Sequence, residues 1–282
     1  MTNETTRPDA TVEAPRAPFV TRAALLEDLR AIGLARGDIV MVHAALSKIG
    51  PLLNGPDAVI GALRDAVGPE GTVMGYTDWD ARYEDLLDAD GRVPDAWKPH
   101  IPPFDPLRSR AIRDNGAFPE FLRTTPGALR SGSPGASMAA IGARAEWLTA
   151  GHPIDYGYGA RSPLAKLVEA GGKVLMLGAP RDTMTLIHHA EHLARLEGKR
   201  IKRIEVPFAS ETGTVWRWVE EFNTGEAVIP ALDDIDYFTD IVTDFLESGS
   251  GRSAKIGHAD SILVDAAAMT RFAVDWLERR YG

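Results

Sequence analysis

"IVMVHAALSKIGPLLNGPDAVIGALRDAVGPEGTVMGYT", residues 39–77, decides the architecture. "IVMVHAAL" at 39–46 is a short apolar run rich in branched residues, and it reads as a buried strand. "GPDAVIGALRDAVG" at 55–68 switches to helical spacing, with Pro56 in the first turn and Val59, Ile60, Leu63 and Val67 sharing a stripe. "TVMGYT" at 72–77 is then a second strand. Strand, helix and strand in succession predict a mixed α/β fold, a central sheet flanked by helices.

The same rhythm continues on both sides. "TRAALLEDLRAIGL" places Leu25, Leu26, Leu29 and Ile32 on one helical face behind a Thr21 cap. "SPLAKLVEAGG" is a helix capped by Ser162, with Pro163 at its first position and Gly171 as its stop. "KVLMLG" is a third buried strand, and the helix "DTMTLIHHAEHLARLEG" follows at once. "IKRIEVPF" and "VWRWVEEF" around "ASETGT" predict a hairpin. "DYFTDIVTDFLES" is a helix, and "SILV" leads into a last helix capped by Asp265, with Met269, Phe272 and Trp276 inward. Between 78 and 110 the periodicity dissolves into a stretch rich in Pro and Asp that also holds Trp79, Tyr83, Trp97 and Phe104. A loop of that length with that many aromatics reads as a folded flap over a binding site. Residues 1–18 are polar and read as a disordered leader, which leaves 19–282 as a single domain.

Composition narrows the function. The 282 residues are 44% hydrophobic and 25% charged, with a formal charge of −9. An acidic chain whose basic residues do not segregate is a poor partner for nucleic acid. No apolar run reaches the roughly 18 residues of a membrane span. Cysteine is absent, which excludes disulfides, thiolate metal sites and a cysteine nucleophile, and fits a reducing cytoplasm. The acids cluster at 78–90, 220–227 and 233–240. If two clusters line one cleft, their field attracts cations.

"TLIHHAEHLA" at 185–194 carries the densest chemistry. At helical spacing His188, Glu191 and His192 share a face, while His189 points about a quarter turn away. The string satisfies H-x-x-E-H, an inverted zinc-protease pattern that needs a third ligand from elsewhere. The alternative is one catalytic base: His188 lies in the first turn behind a Thr185 cap, where the helix dipole favours the neutral imidazole. A structural, hydrogen-bonded histidine is the third reading.

"DIVMVHAALSKIG", "GPEGTVM", "IPPFDP", "PGALRS", "ASMAAIG", "GARSPLAKL", "GGKVLMLGAPRDTMTLIHHAEH" and "FAVDWLERRYG" together resemble the aminoglycoside 3-N-acetyltransferase family, in consistent order from about Thr21 to Gly282. The resemblance implies acetyl-CoA-dependent transfer to the 3-amino group of a 2-deoxystreptamine ring, a role in antibiotic resistance, and no metal. It also implies a fold distinct from the commoner acetyltransferase superfamily, whose R/Q-x-x-G-x-G/A signature is missing here. The histidine and glutamate of the family's T-x-x-H-x-A-E segment fall on His188, as general base, and Glu191, as its support. The acidic pair after the second hairpin strand falls on Glu221 and Asn223, an amide replacing the second acid and shifting weight onto Glu221.

By the same resemblance, Tyr76, Asp78, Glu221, Asn223 and Asp182 are expected at the substrate, the carboxylates pairing with its ammonium groups. Acetyl-CoA is expected along the turn Ala45, Leu46, Ser47 and Lys48 and along the loop carrying Arg130, Ser131 and Ser137. Two departures stand out: both usual serines of V-H-S-S-L are alanine at Ala44 and Ala45, and the histidine of R-S-x-H-P is Ser133. The protein is expected to act as a monomer or homodimer in the cytoplasm. The rivals are a zinc hydrolase on His188, Glu191 and His192, and a non-catalytic protein that sequesters cationic sugars.

Overall fold

A computed structural model describes residues 19–282; the expected leader lies outside the described residues. In chain order the elements are α1 (Arg22–Ile32), β1 (Ile39–Ala44), α2 (Pro56–Val67), β2 (Thr72–Tyr76), α3 (Phe118–Thr124), β3 (Leu129–Arg130), β4 (Met138–Gly142), α4 (Ala145–Thr149), α5 (Pro163–Glu169), β5 (Lys173–Leu177), α6 (Leu186–Leu193), β6 (Ile201–Ser210), β7 (Gly213–Phe222), α7 (Tyr237–Glu247), β8 (Arg252–Ile256), β9 (Ala259–Asp265) and α8 (Ala266–Tyr281). Thr21, Ser162 and Asp265 each accept a hydrogen bond from an amide three residues on, so the expected caps of α1, α5 and α8 form.

Seven strands form one sheet in the order β3-β4-β2-β1-β5-β9-β8. β1 runs parallel to both β2 and β5, and the outer strands pair antiparallel. Strand alternation sorts the core into two layers. Ile39 and Met41 face a cluster with Leu164, Ile187, Phe245 and Trp276 of the helices α5 to α8. Val40 and Val42 face a second cluster with Leu29, Leu63 and Leu122 of α1, α2 and α3. Burial on both faces is why these strands read as continuous apolar runs.

Several elements at the sheet's margins leave no clear signal in the sequence. β3 is two residues long, β4 is the alanine-rich "MAAIG", and β8 is a mostly exposed edge strand, "RSAKI". None has a clear alternation or branched run, and pairing with a neighbour is what makes them strands. The helices α3 and α4, of seven and five residues, are too short to show a period.

β6 and β7 form the expected hairpin as a separate two-stranded sheet, with its turn at residues 211–212. The flap packs on it. Trp79, Tyr83, Val93, Ile101 and Phe104 form a third small core with Val206 of β6. The Phe104 amide donates to the Pro207 carbonyl at 2.8 Å, and the Glu205 amide to the Gly91 carbonyl at 2.8 Å. A Cβ on Gly91 would lie 2.0 Å from the Arg203 carbonyl oxygen, so only glycine permits that approach. Trp97, the fourth aromatic noted in the flap, is 49% exposed. Among the described residues no helix is long and apolar enough to cross a membrane.

Candidate active site

The parallel strands place the site. From β1 the chain crosses to β2 through α2, and β5 pairs on the opposite side of β1, so the winding reverses between β1 and β5. Ligands of open α/β sheets bind outside the carboxyl ends of strands at such a reversal. Three segments emerge there: the turn Ala45–Lys48 from β1, Thr77–Asp78 from β2, and Gly178–Thr183 from β5. Gly178 has φ +66°, and a Cβ there would meet that of Ala259 at 2.9 Å and that of Lys48 at 3.3 Å.

The histidine turn, α6, lies just beyond β5, and its three imidazoles have three different partners. The Nδ1 of His188 is 2.7 Å from Oε2 of Glu191. Glu191 is buried and takes a second hydrogen bond on Oε1 from the Tyr237 hydroxyl of α7. The rings of Tyr158 and Phe238 each lie 4.9 Å from the His188 imidazole. With an acidic acceptor at Nδ1, the proton of neutral His188 sits there, and Nε2 presents a lone pair. His189 is buried, and its Nδ1 donates to the Tyr158 carbonyl at 2.8 Å. Desolvation lowers its pKa, so it is held neutral. Nε2 of His192 meets Oε1 of Glu221 on β7 at 2.8 Å, and the Phe222 amide donates to the same oxygen.

The shared face expected of His188, Glu191 and His192 is thus divided: Glu191 serves His188, and His192 serves Glu221. Among the described residues no group of three His, Cys, Asp or Glu side chains is placed to hold a metal ion. The zinc-hydrolase geometry does not assemble. The Thr185 cap also differs from expectation, because its backbone is already helical (φ −53°, ψ −23°) and its hydroxyl makes no capping bond. His188 is nonetheless in the first turn.

Two clefts open here. One, of about 520 Å³, is bordered by Tyr76, Asp78, Tyr83, Glu84, Tyr158 and Glu221. The other, of about 790 Å³, is bordered by His188, Asp182, Glu226, Asp233, Asp236 and Phe238. Thr224 and Gly225 border both, so the clefts are neighbours. All three acidic clusters contribute to them, and the field they generate favours a polycation.

Asp78 is the most perturbed acid. Its backbone is left-handed at φ +48°, and its Oδ1 accepts from the Trp79 amide at 2.6 Å. Burial pushes its carboxyl up to about 7, with Glu84 adding to the effect and the Trp79 hydrogen bond opposing it. Beside it the hydroxyls of Tyr76 and Tyr158 share a 2.6 Å hydrogen bond.

The remaining expected residues divide. Asp182 is exposed on a short turn at the rim of the His188 cleft. Asn223 borders neither cleft: its Oδ1 accepts from the Gly225 amide and its Nδ2 reaches Glu226, which shapes the turn between them. Leu46 is half-buried, and Ser47 and Lys48 are exposed in the turn after β1. Arg130, Ser131 and Ser137 are engaged in hydrogen bonds within the fold. Arg130 donates to the carbonyls of Asp78 and Ser109, Ser131 accepts from the Met138 amide, and Ser137 meets Thr77 and Arg130. Tyr237 and Tyr158 were missed, since contacts across α7 and the 152–158 loop leave no local spacing to read.

The family model for aminoglycoside 3-N-acetyltransferase matches residues 41–278. The chain belongs to the aminoglycoside 3-N-acetyltransferase family. Aminoglycoside N(3)-acetyltransferase III of Pseudomonas aeruginosa is 44% identical over 266 residues, spanning 93% of this chain and 95% of that protein. A solved complex of AAC-IIIb with coenzyme A is 68% identical with a TM-score of 0.92, covering 94% of this chain and 98% of that one. AAC-VIa bound to sisomicin, solved with neutrons and X-rays, is 38% identical with a TM-score of 0.88, over 94% and 100% of the two chains. This aminoglycoside acetyltransferase is therefore a transferase of the acyltransferase class, and acetyl-CoA is the co-substrate of its family.

Proposed function

We propose that the chain transfers the acetyl group of acetyl-CoA to the 3-amino group of a 2-deoxystreptamine aminoglycoside, with His188 as general base. One observation carries the assignment: His188 is tied at Nδ1 to a buried, doubly bonded Glu191, and its ring borders an acid-rimmed cleft. Acetyl-CoA supplies an activated acyl group on sulfur. The amine must lose a proton to attack, and Nε2 of His188 accepts it as the C–N bond forms. The C–S bond then breaks, and the coenzyme's sulfur leaves and is protonated. Glu191 holds the ring in position and stabilises the imidazolium.

Asp78, Glu221 and Asp182 hold the other ammonium groups through charge-assisted hydrogen bonds. His192 fixes one oxygen of Glu221 and leaves the other for substrate. The coenzyme's pyrophosphate fits the turn after β1, where the first amides of the 3-10 turn at Leu46 and Ser47 and the exposed Lys48 are the available donors. The alanines at 44 and 45 offer no side-chain hydroxyl there, which leaves the backbone, Ser47 and Lys48. The reaction takes place where acetyl-CoA is made, in the cytoplasm, and protects the host from the drug.

His188→Ala tests the base. The expected result is a fall in kcat of about 10²–10⁴-fold with melting temperature and coenzyme affinity retained. Near-normal kcat in a folded variant overturns the assignment. NMR of the product locates the acetyl group, and a site other than the 3-amine overturns the regiochemistry.

A further inference from the structure

Among the described residues, three buried side-chain polar atoms lack a hydrogen-bond partner: Nε2 of His43, Nδ2 of Asn115 and the hydroxyl of Tyr83. Buried polar groups are nearly always paired, so an orphan calls for a partner that the chain itself does not supply. Of the three residues only Tyr83 borders the Asp78 cleft. Tyr83 is 8% exposed, and its ring is fixed in the flap core, 5.6 Å from Trp79 and 6.3 Å, edge-on, from Trp216. The rigid ring therefore presents its hydroxyl without a choice of direction.

Chemistry separates this group from its neighbours. Asp78, Asp80, Glu84 and Glu221 on the same cleft are carboxyl groups, suited to ammonium. A neutral phenol is both donor and acceptor, which suits a sugar hydroxyl. Glu84, next in sequence, is held by Lys202 at 2.6 Å, so it does not fold back onto Tyr83. Tyr83 borders the cleft that His188 does not border, so the group its hydroxyl meets is separate from the one at the imidazole.

We propose that the Tyr83 hydroxyl is a specificity-determining contact for one sugar hydroxyl of the aminoglycoside, on a ring other than the one acetylated; this rests on the acetyl-transfer reading above. The flap therefore selects among drugs by hydroxylation pattern, while the carboxylates select for charge.

Tyr83→Phe removes one oxygen and keeps the ring. Steady-state kinetics of wild type and variant are compared on kanamycin B and on a series of its single-deoxy analogues, with melting temperatures of both proteins. The expected result is a KM for kanamycin B raised about five- to tenfold in the variant, with kcat within about twofold. One deoxy analogue shows the raised KM already with wild type, and no further loss with the variant. The melting temperature stays level or rises, because an unpaired buried hydroxyl is lost. An unchanged KM, an equal loss on every analogue, or a lowered melting temperature overturns the proposal while wild-type acetylation stands. Absence of acetylation by wild type removes the acetyl-transfer reading, and this proposal with it.

Discussion

The histidine turn and the flap meet at the same pair of clefts but are built in opposite ways. α6 packs between the sheet and α8, and its groups are fixed by contacts three residues apart or by buried partners such as Glu191 and Tyr237. The flap has no long helix or strand. It is held by a few aromatic rings against the hairpin and by ionic clamps such as Glu120, which receives hydrogen bonds from Arg110, Arg123 and the Ala111 amide. Those bonds hold the Glu120 carboxyl down at about 2 against the cost of its burial. The proposed base thus sits on the stiffer support and the proposed recognising groups on the more adaptable one. Stiffness keeps an attack geometry, and a small satellite core permits variation in what is bound.

Emptying the flap core is the strongest way to separate the two regions. Phe104 is 1% exposed, 5.5 Å from Trp79 and 6.3 Å from Phe208. Phe104→Ala should cost about 3–5 kcal/mol of local stability. Because that core is separate from the two sheet layers, the loss should appear as proteolytic cleavage within 78–110 and a large rise in KM for the drug. The main thermal transition should move much less. A single transition lowered by the whole amount would show that flap and sheet unfold as one unit.

Glu191→Gln strikes the stiff side. Gln keeps the shape and both contacts but removes the charge that stabilises the imidazolium. On the order of 10²-fold should be lost from kcat, with little change in KM. A KM effect of similar size would mean that Glu191 serves binding rather than His188.

How far each region was readable follows from the same difference. The strand, helix and strand at 39–77 and the caps at Thr21, Ser162 and Asp265 depend on neighbours in sequence, and they form as expected. His188 and Glu191 are three apart on one helix, so their contact was legible as well. The link from His192 to Glu221 spans 29 positions and two elements, and it reassigns a residue that local spacing had grouped with His188. Arg130 and Ser137 show how distant pairing engages a side chain. Their polar side chains looked available in the sequence, but the antiparallel pairing of β3 with β4 folds them against Asp78 and Thr77. The flap was recognisable from its aromatics, although which rings are buried depends on the hairpin beneath.

Asp78 joins the two regions and should show a pH signature. Its carboxyl has an ordinary value of 3.8 and is pushed up to about 7 in the fold, so it is mostly neutral near pH 6 and mostly ionised near pH 8. Only the ionised form pairs with ammonium. KM for the drug should therefore fall as pH rises through about 7, and Asp78→Asn should flatten that limb and raise KM about tenfold at about pH 8. Stability moves the other way. A raised carboxyl pKa favours the protonated fold, so a penalty accumulates as pH climbs from about 4 to about 7 and is complete above it. Asp78→Asn should then melt higher than wild type near pH 8 and equal to it near pH 3. A lower melting temperature at both values would mean that the carboxylate is structurally required.

Tyr237→Phe should have the smallest effect. Glu191 would keep its bond to His188 and lose only the one from Tyr237, and the ring would still fill its place against Phe238 at 5.0 Å. The carboxylate would gain freedom to rotate, and the orientation of His188 would loosen with it. A fall in kcat of about three- to tenfold at constant KM is the expected outcome, the scale of one modest hydrogen bond. Combining it with Glu191→Gln should add almost nothing, because the hydroxyl acts through that carboxylate and has no other route to the base. Full additivity in the double variant would instead place Tyr237 in direct contact with the drug or the thioester, and the cleft beside His188 would then need a second polar anchor.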